Sequence, residues 1–114
     1  MEPALGFDAM DIQFCDEDLA ENIDSFSQDV VSLQGLSGTM RAQAINECEK
    51  KATRIRTLKK GFNLEMRQLS KPDQKVFQAK LREHDQKFEE ALKDFKWAKA
   101  DSNRSELLGN RTEE

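Results

Sequence analysis

Apolar side chains recur every three or four residues along three long stretches of the chain, with polar side chains between them. This spacing places the apolar residues on one face of an α-helix, whereas a half-buried strand would need strict alternation. The pattern therefore predicts three amphipathic helices, at about residues 9–34, 40–69 and 71–108. The apolar stripes are Ile12, Cys15, Leu19, Ile23, Phe26, Val30 and Leu33 in the first helix, Ile45, Cys48, Ala52, Ile55, Leu58, Phe62, Met66 and Leu69 in the second, and Phe77, Leu81, His84, Phe88, Ala91, Leu92, Phe95 and Ala98 in the third.

The links between the predicted helices are short and contain residues that end or begin helices. Gly35 and Gly38 are expected to end the first helix and start the second. Ser70 is expected to cap the third helix, because its side-chain oxygen can accept a hydrogen bond from the first turn. Pro72 fits in that first turn, where its missing N–H has no helical partner to lose.

Three amphipathic helices joined by short links predict an all-α fold, an antiparallel up-down-up bundle in which the three stripes form one core. The bundle is expected to occupy residues 9–109, with a long third helix that ends before Gly109. Residues 1–8 are interpreted as a flexible N-terminal tail, and residues 110–114 as a polar tail or the start of a linker.

Composition agrees with a helical, charged protein. Charged residues make up 35% of the chain and hydrophobic residues 37%, and Tyr is absent. Neither a membrane-spanning run nor a signal peptide is read in the sequence, which indicates a protein that faces the cytosol. Cys15 and Cys48 show no metal-binding or redox spacing, so both are expected to be reduced, buried thiols.

Charge is distributed unevenly along the chain. Residues 1–40 hold nine acids and no Lys or Arg, whereas residues 41–80 hold eleven bases and four acids. This asymmetry predicts that the first two helices pack against each other, with part of the basic surface left in solvent. Four bases of the second helix are candidates for partner binding. On a helical wheel Lys50 and Arg54 lie to one side of Ile55, and Arg56 and Lys60 lie to the other.

Trp97 is the fifth candidate, since it leaves the stripe of the third helix two positions after Phe95. It either covers the edge of the bundle or is exposed, and an exposed Trp is a candidate partner contact. His84 is the sole histidine and lacks neighbouring His or Cys ligands, so we interpret it as a partly buried residue at the bundle edge.

The chemistry expected of an enzyme is missing from this sequence. It contains no Gly-rich phosphate loop, and its serines lack a second His–acid partner set, since the one histidine would have to serve for every such site. A three-helix bundle also offers no concave pocket of the usual kind. The sequence therefore predicts a non-enzyme with no catalytic, cofactor or metal site.

Four short motifs suggest a family. They are residues 63–67 (NLEMR), the Ser-Lys-Pro link at 70–72, residues 92–96 (LKDFK) and residues 105–110 (SELLGN). In order and spacing they resemble the N-terminal domains of Vti-type Qb-SNAREs, with the novel plant SNAREs as a related alternative. The resemblance covers about residues 40–110, and the first helix is similar only in its apolar pattern.

The resemblance implies a three-helix regulatory domain of the Habc type. In the family it precedes a linker, a SNARE heptad motif with a central Gln and a C-terminal membrane anchor, none of which lies in these 114 residues. Pairing with other SNAREs and membrane attachment would therefore depend on that downstream part. The domain itself is expected to be a monomer that binds ENTH-type clathrin adaptors or tethers at the cytosolic face of Golgi and endosomal membranes.

Two other functions remain open at this point. One is a free-standing helical adaptor or scaffold unrelated to SNAREs. The other is weak binding of anionic lipid or nucleic acid through the basic second helix. Because Ala52, Ile55 and Leu58 interrupt the basic run at core spacing and no aromatic residue interleaves it, nucleic acid is not an expected partner.

Overall fold

The computed structural model describes the backbone of residues 2–113 and the side chains of residues 11–101. The described backbone contains three long α-helices and no strand, so the predicted all-α, three-helix fold is confirmed. The elements are α1 (Glu2–Ser32), a single 3₁₀ turn (Leu33–Gly35), α2 (Gly38–Met66) and α3 (Lys71–Glu113).

The outer ends of α1 and α3 differ from the sequence-based bounds. Residues 2–8, predicted as part of a tail, are helical, and Pro3 is tolerated because it lies in the first turn. At the other end α3 continues through Gly109, where the sequence predicts a stop, and reaches Glu113. A glycine inside a helix costs only about 1 kcal/mol relative to alanine, so Gly109 alone does not end the helix.

The α2–α3 turn begins earlier than expected. Helix α2 ends at Met66, and the N–H groups of Gln68 and Leu69 bond to the carbonyls of Glu65 and Met66 in a tighter three-residue pattern. Ser70 then caps α3 as predicted: the N–H of Asp73 donates to Ser70 Oγ at 3.4 Å. The capped turn sets the antiparallel course of α3.

The core consists of the three predicted stripes. Every apolar residue assigned to a stripe is either buried or packed against the buried cluster. In one layer, the ring of Phe26 from α1 makes edge contacts with Phe88 and Phe95 from α3, at centroid distances of 5.7 and 5.6 Å. In a second layer, Phe62 of α2 makes an edge contact with Phe77 of α3 at 6.2 Å. Such aromatic pairs stabilise the core beyond the contribution of their buried surface.

Gly38 is the position where backbone conformation demands glycine. Its φ is +60°, in the left-handed region that an L side chain adopts only with strain. A Cβ added there would meet no atom within 4 Å, so the backbone alone sets the requirement. Gly38 thus directs the chain out of the 3₁₀ turn and into α2.

We expect Phe88→Asp to abolish the cooperative unfolding transition. The change removes the Phe26 contact and places an unpaired charge in the core, at a combined cost above about 4 kcal/mol, close to the whole stability of a small domain. Circular dichroism during thermal unfolding measures this. Gln86→Asp, on an exposed position of the same helix, is the control and should melt like the unmodified protein. A near-normal melt of Phe88→Asp would contradict the core assignment.

Two glycine substitutions should change stability in opposite directions. Gly38→Ala should lower the free energy of unfolding by about 1 kcal/mol because of its positive φ. Gly61→Ala, inside α2 with nothing within 4 Å of the new Cβ, should raise it by about 0.5–1 kcal/mol. Urea titration of the two variants gives both values, and equal signs would disprove the backbone argument.

Candidate partner-binding surface

The four candidate bases of α2 all lie in solvent, but they do not form one patch. Lys50 and Arg54 lie on one side of the buried Ile55, and Arg56 and Lys60 on the other. Acids interrupt the set, since Lys50 is 3.5 Å from Glu47 within the same helix. This arrangement does not favour a continuous track for phosphates.

Other bases of the bundle connect its helices. Lys51 of α2 donates to Ser25 Oγ at 2.6 Å and forms an ion pair with Asp29, both in α1. Two further pairs join α2 to α3: Lys59–Asp85 at 2.5 Å and Lys99–Glu49 at 2.6 Å. The predicted packing of the acidic first helix on the basic second helix is thus observed, and among the side chains of residues 11–101 the Lys51–Asp29 pair is the one ion pair that joins these two helices. Partly exposed pairs of this kind each contribute little to stability.

His84 lies at the edge of the bundle, as expected. Its Nε2 is 2.7 Å from Asp16 Oδ1, and its side chain is 12% exposed. The imidazole also makes an edge contact with Phe62. Among the described residues, no group of three His, Cys, Asp or Glu side chains is placed to hold a metal ion. The contact with Asp16 therefore gives His84 a structural partner that joins α3 to α1.

Trp97 is exposed: 68% of it is accessible to solvent, so it does not cover the bundle edge. It lines an open groove of about 570 Å³ between the end of α1 and residues 94–101 of α3. Val31 and Gln34 form one wall of this groove, and Asp94, Trp97 and Asp101 form the other. We call this feature the Trp97 groove.

Arg41 closes the end of the Trp97 groove and ties three segments together. Its guanidinium donates to the carbonyls of Leu33, Leu36 (3.3 Å) and Ala98 (3.0 Å). The first two carbonyls follow the end of α1, where a cation also complements the helix dipole. Sequence reasoning missed this contact. The available signal was that Arg41 is the first base of the chain and comes directly after the link that ends the acidic helix.

Both cysteines are free thiols, as the sequence predicts, but the prediction that both are buried is wrong for Cys15, which is partly exposed. Cys48 is fully buried, and this burial, together with nearby Asp29, raises the pKa of its thiol to about 11. Burial and the neighbouring Glu65 also raise the pKa of Cys15, which is half-buried. At neutral pH both thiols are protonated, so neither has the thiolate character of a reactive cysteine.

The chain matches the model of a known protein family. The family model described as "Vesicle transport v-SNARE protein N-terminus" matches residues 11–99, which include all three packed stripes. The chain belongs to this v-SNARE N-terminal family. The match includes the first helix, which resembles Vti-type domains only in its apolar pattern.

Further comparisons add no closer relative to this v-SNARE domain. Neither the curated proteins nor the solved structures include a significant match. Within the described residues, no helix has the length and apolar character needed to cross a bilayer. The family is one of vesicle transport and not of catalysis. The α2 bases and the Trp97 groove are exposed on the surface of this domain.

Removing the Arg41 contact should destabilise the v-SNARE domain. We expect Arg41→Ala to lower the free energy of unfolding by about 2 kcal/mol, since three carbonyls lose a charged donor. Urea unfolding measures the loss. Arg54→Ala removes an exposed arginine from the same helix and should change stability by less than about 0.5 kcal/mol. If both substitutions lowered the free energy of unfolding by the same amount, the Arg41 hydrogen bonds would not contribute to stability.

Proposed function

We propose that this v-SNARE domain is the Habc-type regulatory domain of a Vti-like Qb-SNARE, which acts by binding trafficking adaptors or tethers. Its place of action would be the cytosolic face of Golgi and endosomal membranes. Pairing with other SNAREs would belong to a heptad motif outside residues 1–114. The proposal rests on one observation above all, the family match across the whole packed bundle.

The sequence motifs supply the narrower part of the proposal. The stretch 63–67 spans the end of α2, and the link 70–72 leads into α3. Residues 92–96 include Phe95, whose ring contacts Phe26 in the core. These stretches have the order seen in Vti-type domains. They support a Vti-like member of the family over a helical scaffold unrelated to SNAREs.

The surface of the bundle supports a binding role. In the described part of the chain, the apolar stripes are buried in the core. The four candidate bases lie in solvent and form no ion pair with a described side chain of another helix. Arg56 also lies over the Phe88 ring, 5.8 Å from its centroid. Solvated charges of this kind suit the rim of a transient protein interface, where they affect the association rate and specificity. An acidic patch on an adaptor would complement them.

Binding to a purified ENTH domain of a clathrin adaptor tests the proposal. We expect saturable binding in isothermal titration calorimetry, weakened by raised salt. Two double variants separate the flanks of α2: Lys50→Glu with Arg54→Glu, and Arg56→Glu with Lys60→Glu. One pair should weaken binding by about tenfold or more, while the other serves as its charge-matched control.

Circular dichroism of each variant confirms folding before the titration. If both pairs weaken binding equally, the effect is one of net charge, and the assignment of a surface on α2 is wrong. If the folded domain binds neither an ENTH domain nor a purified tether, the adaptor-binding role is wrong, although membership of the family stands.

A further inference from the structure

The Trp97 groove combines exposed apolar surface with acidic charge. Trp97 is 68% exposed and Val31 63% exposed, and the two side chains lie on opposite walls. Asp94 and Asp101 lie three residues before and four residues after Trp97, which places all three on one side of α3. A large apolar surface with charged neighbours is typical of an interaction surface.

The acids of the groove have no ion-pair partner among the described side chains. Asp94 has no base at the neighbouring helical positions, which hold Glu90, Ala91, Trp97 and Ala98. Among the described residues that line the groove, Arg41 is the single base, and its guanidinium already donates to three carbonyls. The described part of the α3 wall, up to Asp101, therefore contributes two carboxylates and no base.

The C-terminal end of α1 adds little to this charge. A helix C-terminus carries partial negative charge, but the Arg41 guanidinium already bonds to the carbonyls of Leu33 and Leu36 there. The carboxylates of Asp94 and Asp101 therefore set the preference of the groove, which is for cationic side chains over anionic headgroups. The groove suits a partner with an apolar anchor flanked by Lys or Arg.

We propose that the Trp97 groove docks a basic amphipathic segment of a partner protein. An apolar side chain of that segment packs between Trp97 and Val31, and its Lys or Arg side chains face Asp94 and Asp101. The Trp97 ring also offers its face to a cation. This inference rests on the chemistry of the groove and stands whether or not an adaptor binds the bases of α2.

Trp97 provides the measurement, since it is the one Trp in a chain without Tyr. The probe is a synthetic amphipathic helix with Leu on one face and Lys on the other, and the matched peptide carries Glu in place of Lys. With the Lys peptide we expect a saturable blue shift of Trp97 emission that weakens as salt is raised. With the Glu peptide we expect no shift.

Asp94→Asn combined with Asp101→Asn should weaken binding of the Lys peptide by about fivefold to tenfold. The control is Glu21→Gln combined with Glu89→Gln, which removes the same charge from exposed positions that do not line the groove. Val31→Ser should also weaken binding, through the apolar contact. Circular dichroism checks that each variant is folded.

Three results would overturn the proposal. Equal weakening by the groove pair and the control pair would mean that net charge alone attracts the peptide. A blue shift with the Glu peptide would mean that the groove does not select cations. A blue shift that grows with protein concentration in the absence of peptide would mean that a second copy of this chain covers Trp97.

Discussion

The contact of Phe26 with Phe88 and Phe95 is the interaction on which the rest of the bundle depends. It joins the C-terminal part of α1 to α3, at centroid distances below 6 Å. Each helix has a single apolar stripe, so a helix can remove its stripe from water only by packing against the other two. Once Phe26 lies between the two α3 rings, the register of α1 and α3 is set, and α2 fills the remaining side with Ile55 and Phe62.

This register also determines which side chains are left outside. Phe95 and Ala98 must point into the core, and an α-helix turns about 100° per residue, so Trp97 is rotated by about 200° from Phe95. Its exposure is thus a consequence of the core and not of a loose helix end. The same geometry places Asp94 and Asp101 beside it. An exposed ring gains little from folding, so its apolar surface remains available for burial against a partner.

The sequence was sufficient to predict the core, because burial follows from a periodic pattern that each helix carries by itself. Ile12, Ile55 and Phe88 were assigned correctly from spacing alone. The helix ends were predicted less well, since Gly109 and Pro3 are weak local signals that the continuing helix overrides. The contact of Arg41 with the Ala98 carbonyl could not be predicted, because Ala98 is 57 residues away and meets Arg41 only after the bundle has closed. The separation of the candidate bases into two flanks of Ile55 was predicted from the helical wheel, and the burial of Ile55 agrees with it.

Two surfaces of different charge, the α2 bases and the Trp97 groove, therefore lie on the same three-helix bundle. The bases of α2 suit an acidic partner, and the Trp97 groove suits a basic one, so the two need not compete for the same ligand. Arg41 links them physically: it lies in α2, a little over two turns before Lys50, and its guanidinium bonds to Ala98 beside Trp97. A partner that opened the groove would strain this contact and the first turn of α2. A partner that packed against Trp97 and Val31 without moving Arg41 would leave the α2 bases unchanged, and two proteins of opposite charge could then occupy the v-SNARE domain together.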